Sequence, residues 1–415
     1  KMSVFKPFKA YRPSPKYAKE VASKPYDVLN SKEARIEAEG HEMSFLHVVK
    51  PEIDLPEDVD PYSHEVYLKG KANFNDLITK GVFIQDSAPM YYIYRLTMNG
   101  RTQTGLVGCC FFEEYFEGII KKHELTRTAK ENDRVNHVEC LNANAEPVFF
   151  SYRGNDLINN LVANEVGNDP LYNFLTDDGV RHELWSVVNP DTLNSIETAF
   201  ENVSYLYVAD GHHRTAAAAR IGKKRKDNNQ EHTGSEEYNY FLAVLFPEDQ
   251  LKIFDYNRVV KDLNGLSASE FLHKLEDSFI VSKIEDDIIQ PRAMREFSLY
   301  LDDSWYRLVA KDGCWDTNDP VGDLDVTILS EKVLDPLLDI VDLRKDERID
   351  FVGGIRGLKE LERRVNSGEM KAAFALFAVT MDQLLNIADA DKIMPPKTTW
   401  FEPKLRSGLF VHDLE

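Results

Sequence analysis

Five consecutive residues, Asp210-Gly211-His212-His213-Arg214, carry the densest chemistry in the chain. A short β-prone run, Tyr205–Ala209, leads into them and an alanine-rich helix former follows directly. The order predicts a strand, a tight turn and a helix start within about ten residues. A helix start presents unpaired backbone N–H groups and the positive end of the helix dipole, so it suits a phosphate. Gly211 lets the backbone approach a ligand closely, and His212, His213 and Arg214 offer donors to anionic oxygens. The plainer alternative is that Asp210 caps the helix and the two histidines are ordinary exposed polar residues.

Two further constellations compete between chemistry and plain structure. Lys121–Arg134 is a charge run that reads either as a solvated helix face or, through His123-Glu124-Leu125-Thr126, as a base, an acid and a hydroxyl in close order. A carboxylate there can take a proton from a substrate hydroxyl if folding brings it within hydrogen-bond reach. Met394–Lys404 sets two lysines and two threonines among prolines, which is either a solvated connector or a stiff phosphate-binding loop. Gly353-Gly354-Ile355-Arg356-Gly357 reads as a tight turn, because neither GxGxxG nor GxxxxGK[ST] occurs. Adjacent imidazoles rarely reach one ion, which argues against His212 and His213 sharing a metal.

The elements that must hold these groups follow from periodicity and punctuation. Helices are expected at Tyr17–Ser23, from Ser31 (as N-cap) to Glu39, over Pro61–Lys80 with Gly70 inside, and at Glu113–Lys121, Asn155–Asn164 and Pro190–Asn202. Strands are expected at Met90–Met98 and Thr102–Phe112, joined by Asn99-Gly100, and at Pro147–Tyr152. Tyr240–Phe246 and Leu251–Tyr256 read as a strand pair around Pro247. Beyond a composition change at Lys261–Ser267 come a hairpin (Glu296–Leu301, Ser304–Ala310), an amphipathic helix Val326–Ile340, and strand–helix units through Ala388. Hairpins mixed with strand–helix units predict an α+β or mixed α/β protein.

Composition bounds the remaining possibilities. At 415 residues the chain is long enough for two or three domains, and 43% hydrophobic content supplies their cores. A net charge of −20 weighs against a duplex-DNA binder, though not against a local cationic pocket. Cys109, Cys110, Cys140 and Cys314 show no metal spacing and read as reduced thiols. No run reaches the ~18 apolar residues of a membrane span and nothing resembles a signal peptide, so a cytoplasmic protein with no membrane partner is expected. Lys1 before Met2 reads as a tag remnant and is set aside.

The Asp210–Arg214 turn resembles the signature of the ParB/sulfiredoxin-like superfamily, in which strand, turn and helix form a nucleotide-phosphate site. In the same order, His123–Thr126 stands for that superfamily's upstream polar motif, Asp133–Leu141 for its helix and Pro147–Tyr152 for its strand. Over its whole length the chain is similar to a large bacterial and archaeal family labelled a domain of unknown function. The matching stretches are Phe5–Phe8, Pro25–Val28, Lys122–Thr126, Asp210–Arg214 and Met394–Lys404. This resemblance implies an N-terminal α+β domain (1–118), a ParB/sulfiredoxin-like domain (119–262) and a C-terminal α/β domain (263–415).

The nearest chemistry within that superfamily is that of the free serine kinases, which move a phosphoryl group from a nucleotide to L-serine. The resemblance then implies Glu124 as base, Asp210 on Mg²⁺ or the phosphoryl group, and His213 as a further catalytic group. It places Gly211, His212, Arg214 and Thr215 on the phosphates of ATP or ADP, and His123 and Thr126 near the amino-acid substrate. Lys397, Thr399 and Lys404 are expected to complete the phosphate site from the C-terminal domain, a role not carried over from the small superfamily members, which have no such loop. Competing readings are a ParB-like nucleic-acid-binding or nuclease protein and a nucleotide-binding regulatory module without turnover.

Overall fold

The computed structural model describes residues 3–415, so the reading of Lys1 and Met2 lies outside the described residues. The chain forms two compact units: Lys1–Leu251 with Pro403–Glu415, and Lys252–Glu402. Both mix helices with largely antiparallel sheets, which gives the mixed α/β class expected.

The first unit is built on a nine-stranded sheet. Its strands run in the order Ile120–Lys121, Leu206–Asp210, Val148–Tyr152, Tyr240–Pro247, Arg101–Phe111, Tyr91–Met98, Arg181–Val187 and Tyr172–Leu175, and Phe5–Lys6 pairs with Arg101–Phe111. The Asn99-Gly100 hairpin forms as predicted, with Met98 opposite Arg101 and both turn residues at positive φ. Neighbouring strands leave no room for a side chain at two positions: a Cβ on Gly105 would lie 2.8 Å from the Phe246 ring, and one on Gly108 would lie 2.6 Å from Phe5. Phe5 is fully buried and stacks on Tyr91 with 5.2 Å between ring centres, so the aromatic opening of the chain is core. A four-stranded sheet joins Ala10–Pro13, Phe83–Gln85 and Ala143–Asn144 to Val411–Asp413 near the C-terminus.

The second unit carries a six-stranded antiparallel sheet that includes the Glu296–Leu301/Ser304–Ala310 hairpin. Gly353-Gly354-Ile355-Arg356-Gly357 is a tight turn as read: a 3-10 turn over Gly354–Arg356 ends at Gly357, φ +77°.

Several elements differ from expectation, each for a local reason. The helix at Ser31–Ala38 is capped by Asn30, whose side chain accepts the Glu33 N–H at 2.8 Å, and not by Ser31. Gly70 lies within one continuous helix, His64–Thr79, where a side chain would meet the Val48 carbonyl at 3.0 Å. The helix after Phe112 covers only Glu113–Phe116, because Gly118 turns left-handed (φ +77°) and Ile120–Lys121 joins the sheet. The helix assigned from Asp133 begins at Thr128.

Leu251–Tyr256 does not pair with Tyr240–Pro247. Ile253–Phe254 pairs with Trp400–Phe401, and Tyr256–Val260 enters the second sheet. The helix expected over Val326–Ile340 is α-helical only for Asp325–Leu329 and then widens to a π turn over Ser330–Leu334. Pro336 has no N–H for the Lys332 carbonyl and its ring crowds that group; just before it Asp335 N–H bonds Ser330 O at 3.0 Å, and just after it Leu337 N–H bonds Val333 O at 3.1 Å.

Candidate functional site

The strand Leu206–Asp210 pairs in parallel with Ile120–Lys121 on one side and antiparallel with Val148–Tyr152 on the other. Its register with Val148–Tyr152 shifts between Val208 and Asp210, which re-aims the last residue. Gly211 follows at φ +84°, a left-handed conformation that L side chains adopt at a cost, and the helix His212–Asn228 starts at once. The first α-helical bond is Thr215 N–H to Gly211 O at 2.9 Å, so the amides of residues 212–214 lie ahead of it at the positive end of a 17-residue helix.

Asp210 does not cap this helix. Its Oδ1 accepts the Gly211 N–H at 2.8 Å and its Oδ2 accepts Lys404 Nζ at 3.0 Å. Burial opposes ionisation of this carboxyl, but Lys404 and Arg214, with the Gly211 amide, override it and hold the group well below the ordinary carboxylate range. Arg214 folds back over Gly211, where a Cβ would lie 3.2 Å from its Nε. The guanidinium donates to the Pro147 carbonyl at 2.7 Å and stands 4.0 Å from Asp27.

The upstream motif lies against the same junction. The ring of His123 meets that of His212 edge-on at 4.4 Å, and Glu124 Oε2 stands 3.6 Å from His212 Nδ1. Both imidazoles are buried, while the Glu124 side chain is about half exposed, at 49%. Burial lowers His123 to about 4 against the opposing pull of Asp210 and the Val208 carbonyl. Burial, then the neighbouring His123, lowers His212 well below the ordinary histidine value. Both rings are therefore neutral at neutral pH. Thr126 donates to Glu131 at 2.6 Å at the approach to the helix Thr128–Leu141. His213 Nε2 accepts the Arg127 N–H at 3.0 Å, and burial with nearby Lys130 lowers its pKa. Thr215 is buried and its hydroxyl donates to Gly211 O at 2.9 Å, within the helix itself.

Asp210, Gly211, His212, Arg214, Lys404, His123 and Glu124 thus form one cluster, with His213 on its flank. Lys397 and Thr399 belong to the second unit. There Lys397 takes a positive φ of 58°, and its carbonyl accepts a 2.8 Å hydrogen bond from the fully buried Arg258. Burial lowers the Arg258 guanidinium to about 10.

Sequence reasoning gave no role to Arg134 or Glu146, which extend the cluster behind Arg214. Arg134 lies 3.5 Å from Glu146 and covers the Tyr26 ring at 3.7 Å, and Glu146 accepts the Tyr26 N–H at 3.1 Å. Tyr26 and Asp27 fall in the Pro25–Val28 stretch and Arg134 ends the Lys121–Arg134 charge run, while nothing in the sequence marked Glu146. Tyr26, Asp27, Lys50, Lys130, Arg134 and His213 are among the residues around an adjoining pocket of about 310 Å³.

Chemically, the junction combines helix amides, two fixed cations and two carboxylates of different character. Asp210 is ionised and clamped, and Glu124 reaches solvent. For Mg²⁺, which takes oxygen ligands, Asp210 is the suitable donor. Each of its oxygens keeps a lone pair beyond the bond described, so it fits an ion whose other ligands are phosphate oxygens and water.

No curated protein matches the chain. Among solved structures it is similar to a free serine kinase in complex with AMP, at 14% identity and a TM-score of 0.35, covering 72% of this chain and 88% of that one. A conserved hypothetical protein from Pyrococcus furiosus aligns at 16% identity and a TM-score of 0.34, covering 72% and 94%. A C-terminally truncated SbnI from Staphylococcus aureus aligns at 9% identity and a TM-score of 0.39, covering 74% and 87%. The helices of the described residues include none long and apolar enough to cross a membrane. Residues 5–327 match the family described as "Protein of unknown function (DUF1015)", and the chain belongs to that family.

Proposed function

We propose that the chain is a small-molecule kinase that transfers a phosphoryl group from ATP or ADP to a hydroxyl, with free L-serine as the acceptor. The observation that carries this reading is the junction at Asp210–Arg214. It sets an ionised carboxylate, held by Lys404 and Arg214, at the start of a long helix, beside the half-exposed Glu124. The choice of serine comes from the resemblance of the motifs to the free serine kinases.

In this mechanism the nucleotide phosphates lie on the amides of residues 212–214, with Arg214 and Lys404 offsetting their charge. Mg²⁺ carried in on the phosphates would neutralise charge between the transferred group and the leaving group. Asp210 orients that end of the nucleotide and would hold the ion through the lone pairs left beside its bonds to Gly211 and Lys404. Glu124 takes the proton from the serine hydroxyl as the Oγ–P bond forms and the bridging P–O bond breaks. The bridging oxygen leaves with its electron pair on the nucleotide. We place the amino acid in the pocket beside His213, where Lys130 can answer its carboxylate and Asp27 its ammonium group.

Incubating the protein with Mg²⁺, L-serine and either ATP or ADP, then measuring O-phosphoserine by mass spectrometry, tests this reading. Product from one donor is expected. Its absence with every donor and hydroxyl acceptor would leave a nucleotide-binding module without turnover.

A further inference from the structure

His123, Glu124 and His212 each direct a ligand atom to one place, and these atoms all lie within 4.8 Å of one another. The two imidazoles come from different elements, one from the segment after Ile120–Lys121 and the other from the first position of the helix His212–Asn228. The parallel pairing of Ile120–Lys121 with Leu206–Tyr207 brings them together. Neither nitrogen of His123 makes a well-formed hydrogen bond, although the ring lies beside the Val208 carbonyl. His123 is 1% exposed and His212 is 6% exposed. Native proteins rarely leave buried polar atoms unpaired, and an ion is one of the ordinary reasons when they do. A hydrogen-bonded core histidine, such as His182 beside Tyr94, shows no such deficit.

We propose that His123, His212 and Glu124 form a binding site for a divalent first-row transition ion, Zn²⁺ or one of its neighbours, separate from any Mg²⁺ that travels with nucleotide. Two neutral imidazoles and one carboxylate suit these ions, whereas Mg²⁺ prefers oxygen throughout. Ligands about 2.0–2.2 Å from one ion stand roughly 3.3 Å apart in a tetrahedron. Glu124 Oε2 is already 3.6 Å from His212 Nδ1, and small side-chain rotations bring the other separations, all within 4.8 Å, to that spacing. Water would take the fourth position. The site goes beyond the kinase reading and does not depend on it. Where that reading holds, a bound ion occupies the carboxylate assigned as base and slows transfer.

The test uses the full chain freed of metal by chelation, without nucleotide, titrated with Co²⁺ and followed by visible d–d absorption. The site predicts saturation at one ion per chain, reversal by Zn²⁺ and no displacement by excess Mg²⁺. It also predicts affinity at least about tenfold weaker in Glu124→Gln and in His123→Ala. The half-exposed Glu124→Gln variant decides the matter if His123→Ala does not fold. A wild-type protein silent to Co²⁺, or Glu124→Gln binding as tightly as wild type, overturns the proposal. Because the readout is optical, failure here leaves the phosphoserine assay unaffected, and failure of that assay leaves the ion site standing.

Discussion

Asp210 is the residue on which the site turns. A carboxylate kept ionised by one lysine and one arginine is a fixed negative point in a cationic setting, and Lys404 reaches it from 194 residues away in sequence. Asp210→Asn keeps the shape and removes the charge, so turnover should fall below detection while circular dichroism still shows the native fold, with a lower melting temperature as Lys404 and Arg214 lose their anion. An active Asp210→Asn would strip the residue of its assigned role. Glu124→Gln should lower kcat by about 10²–10⁴ if the carboxylate is the general base. A kcat equal to wild type would return the base assignment to another group. The pentapeptide was visible in the sequence because its side chains are adjacent. The Lys404 contact was not, since a lysine in a proline-rich loop gives no sign of which carboxylate it will meet.

Among elements, the strand–turn–helix unit depends on one backbone angle. Gly211 at φ +84° lets the chain turn from Asp210 into the helix while Arg214 packs over it. Gly211→Ala should cost about 1–2 kcal/mol in urea unfolding and weaken nucleotide binding by displacing the Arg214 guanidinium. Unchanged values for both would show the turn to be tolerant. The sheet offers a pH test through His182, which is fully buried and within 2.6 Å of the Tyr94 hydroxyl. Burial, then nearby Arg406, lowers it to about 3. The unfolded chain therefore binds the extra proton first. The stability His182 contributes is present above its unfolded value near 6.5 and is lost as pH falls towards 3. Between pH 7 and 5 this amounts to roughly 2 kcal/mol. His182→Gln should flatten that part of the wild-type slope, and equal slopes would contradict the assignment.

Period and punctuation made most single elements legible, such as the Asn99-Gly100 hairpin and the helix Pro190–Glu201. What periodicity could not carry was a change of hydrogen-bond pattern within one apolar run. Val326–Ile340 keeps helical spacing while Pro336 forces the π turn. The partner of Leu251–Tyr256 was hidden for another reason. Its first half waits for Trp400–Phe401, and no local feature announces a pairing so distant in sequence.

At the scale of the molecule, the chain leaves its first unit at Lys252 and returns at Pro403. The returning thirteen residues are structural as well as chemical. Leu405, Leu409, Phe410, Val411 and Leu414 are all buried, and Val411–Asp413 pairs with two other strands. Each buried apolar side chain is worth about 1.5–3 kcal/mol, so losing the segment removes an amount comparable to the whole stability of a domain. Truncation after Glu402 should therefore yield insoluble or unfolded protein, read by soluble yield and near-UV circular dichroism. A cooperatively melting truncated chain would contradict this. The mixed α/β class was foreseeable from the pattern of hairpins and strand–helix units. The return of the C-terminal strand was not, because its pairing is settled by packing against Ala10–Pro13 and Ala143–Asn144.

Phosphate binding at the junction after Asp210 is what a crystal structure of the protein grown with ADP and Mg²⁺ measures most directly. Phosphate oxygens should lie about 2.7–3.2 Å from the amides of His212, His213 and Arg214, with Lys404 drawn from Asp210 towards them. Nucleotide bound at another surface, with the Asp210–Lys404 pair intact and those amides facing only water, would contradict it.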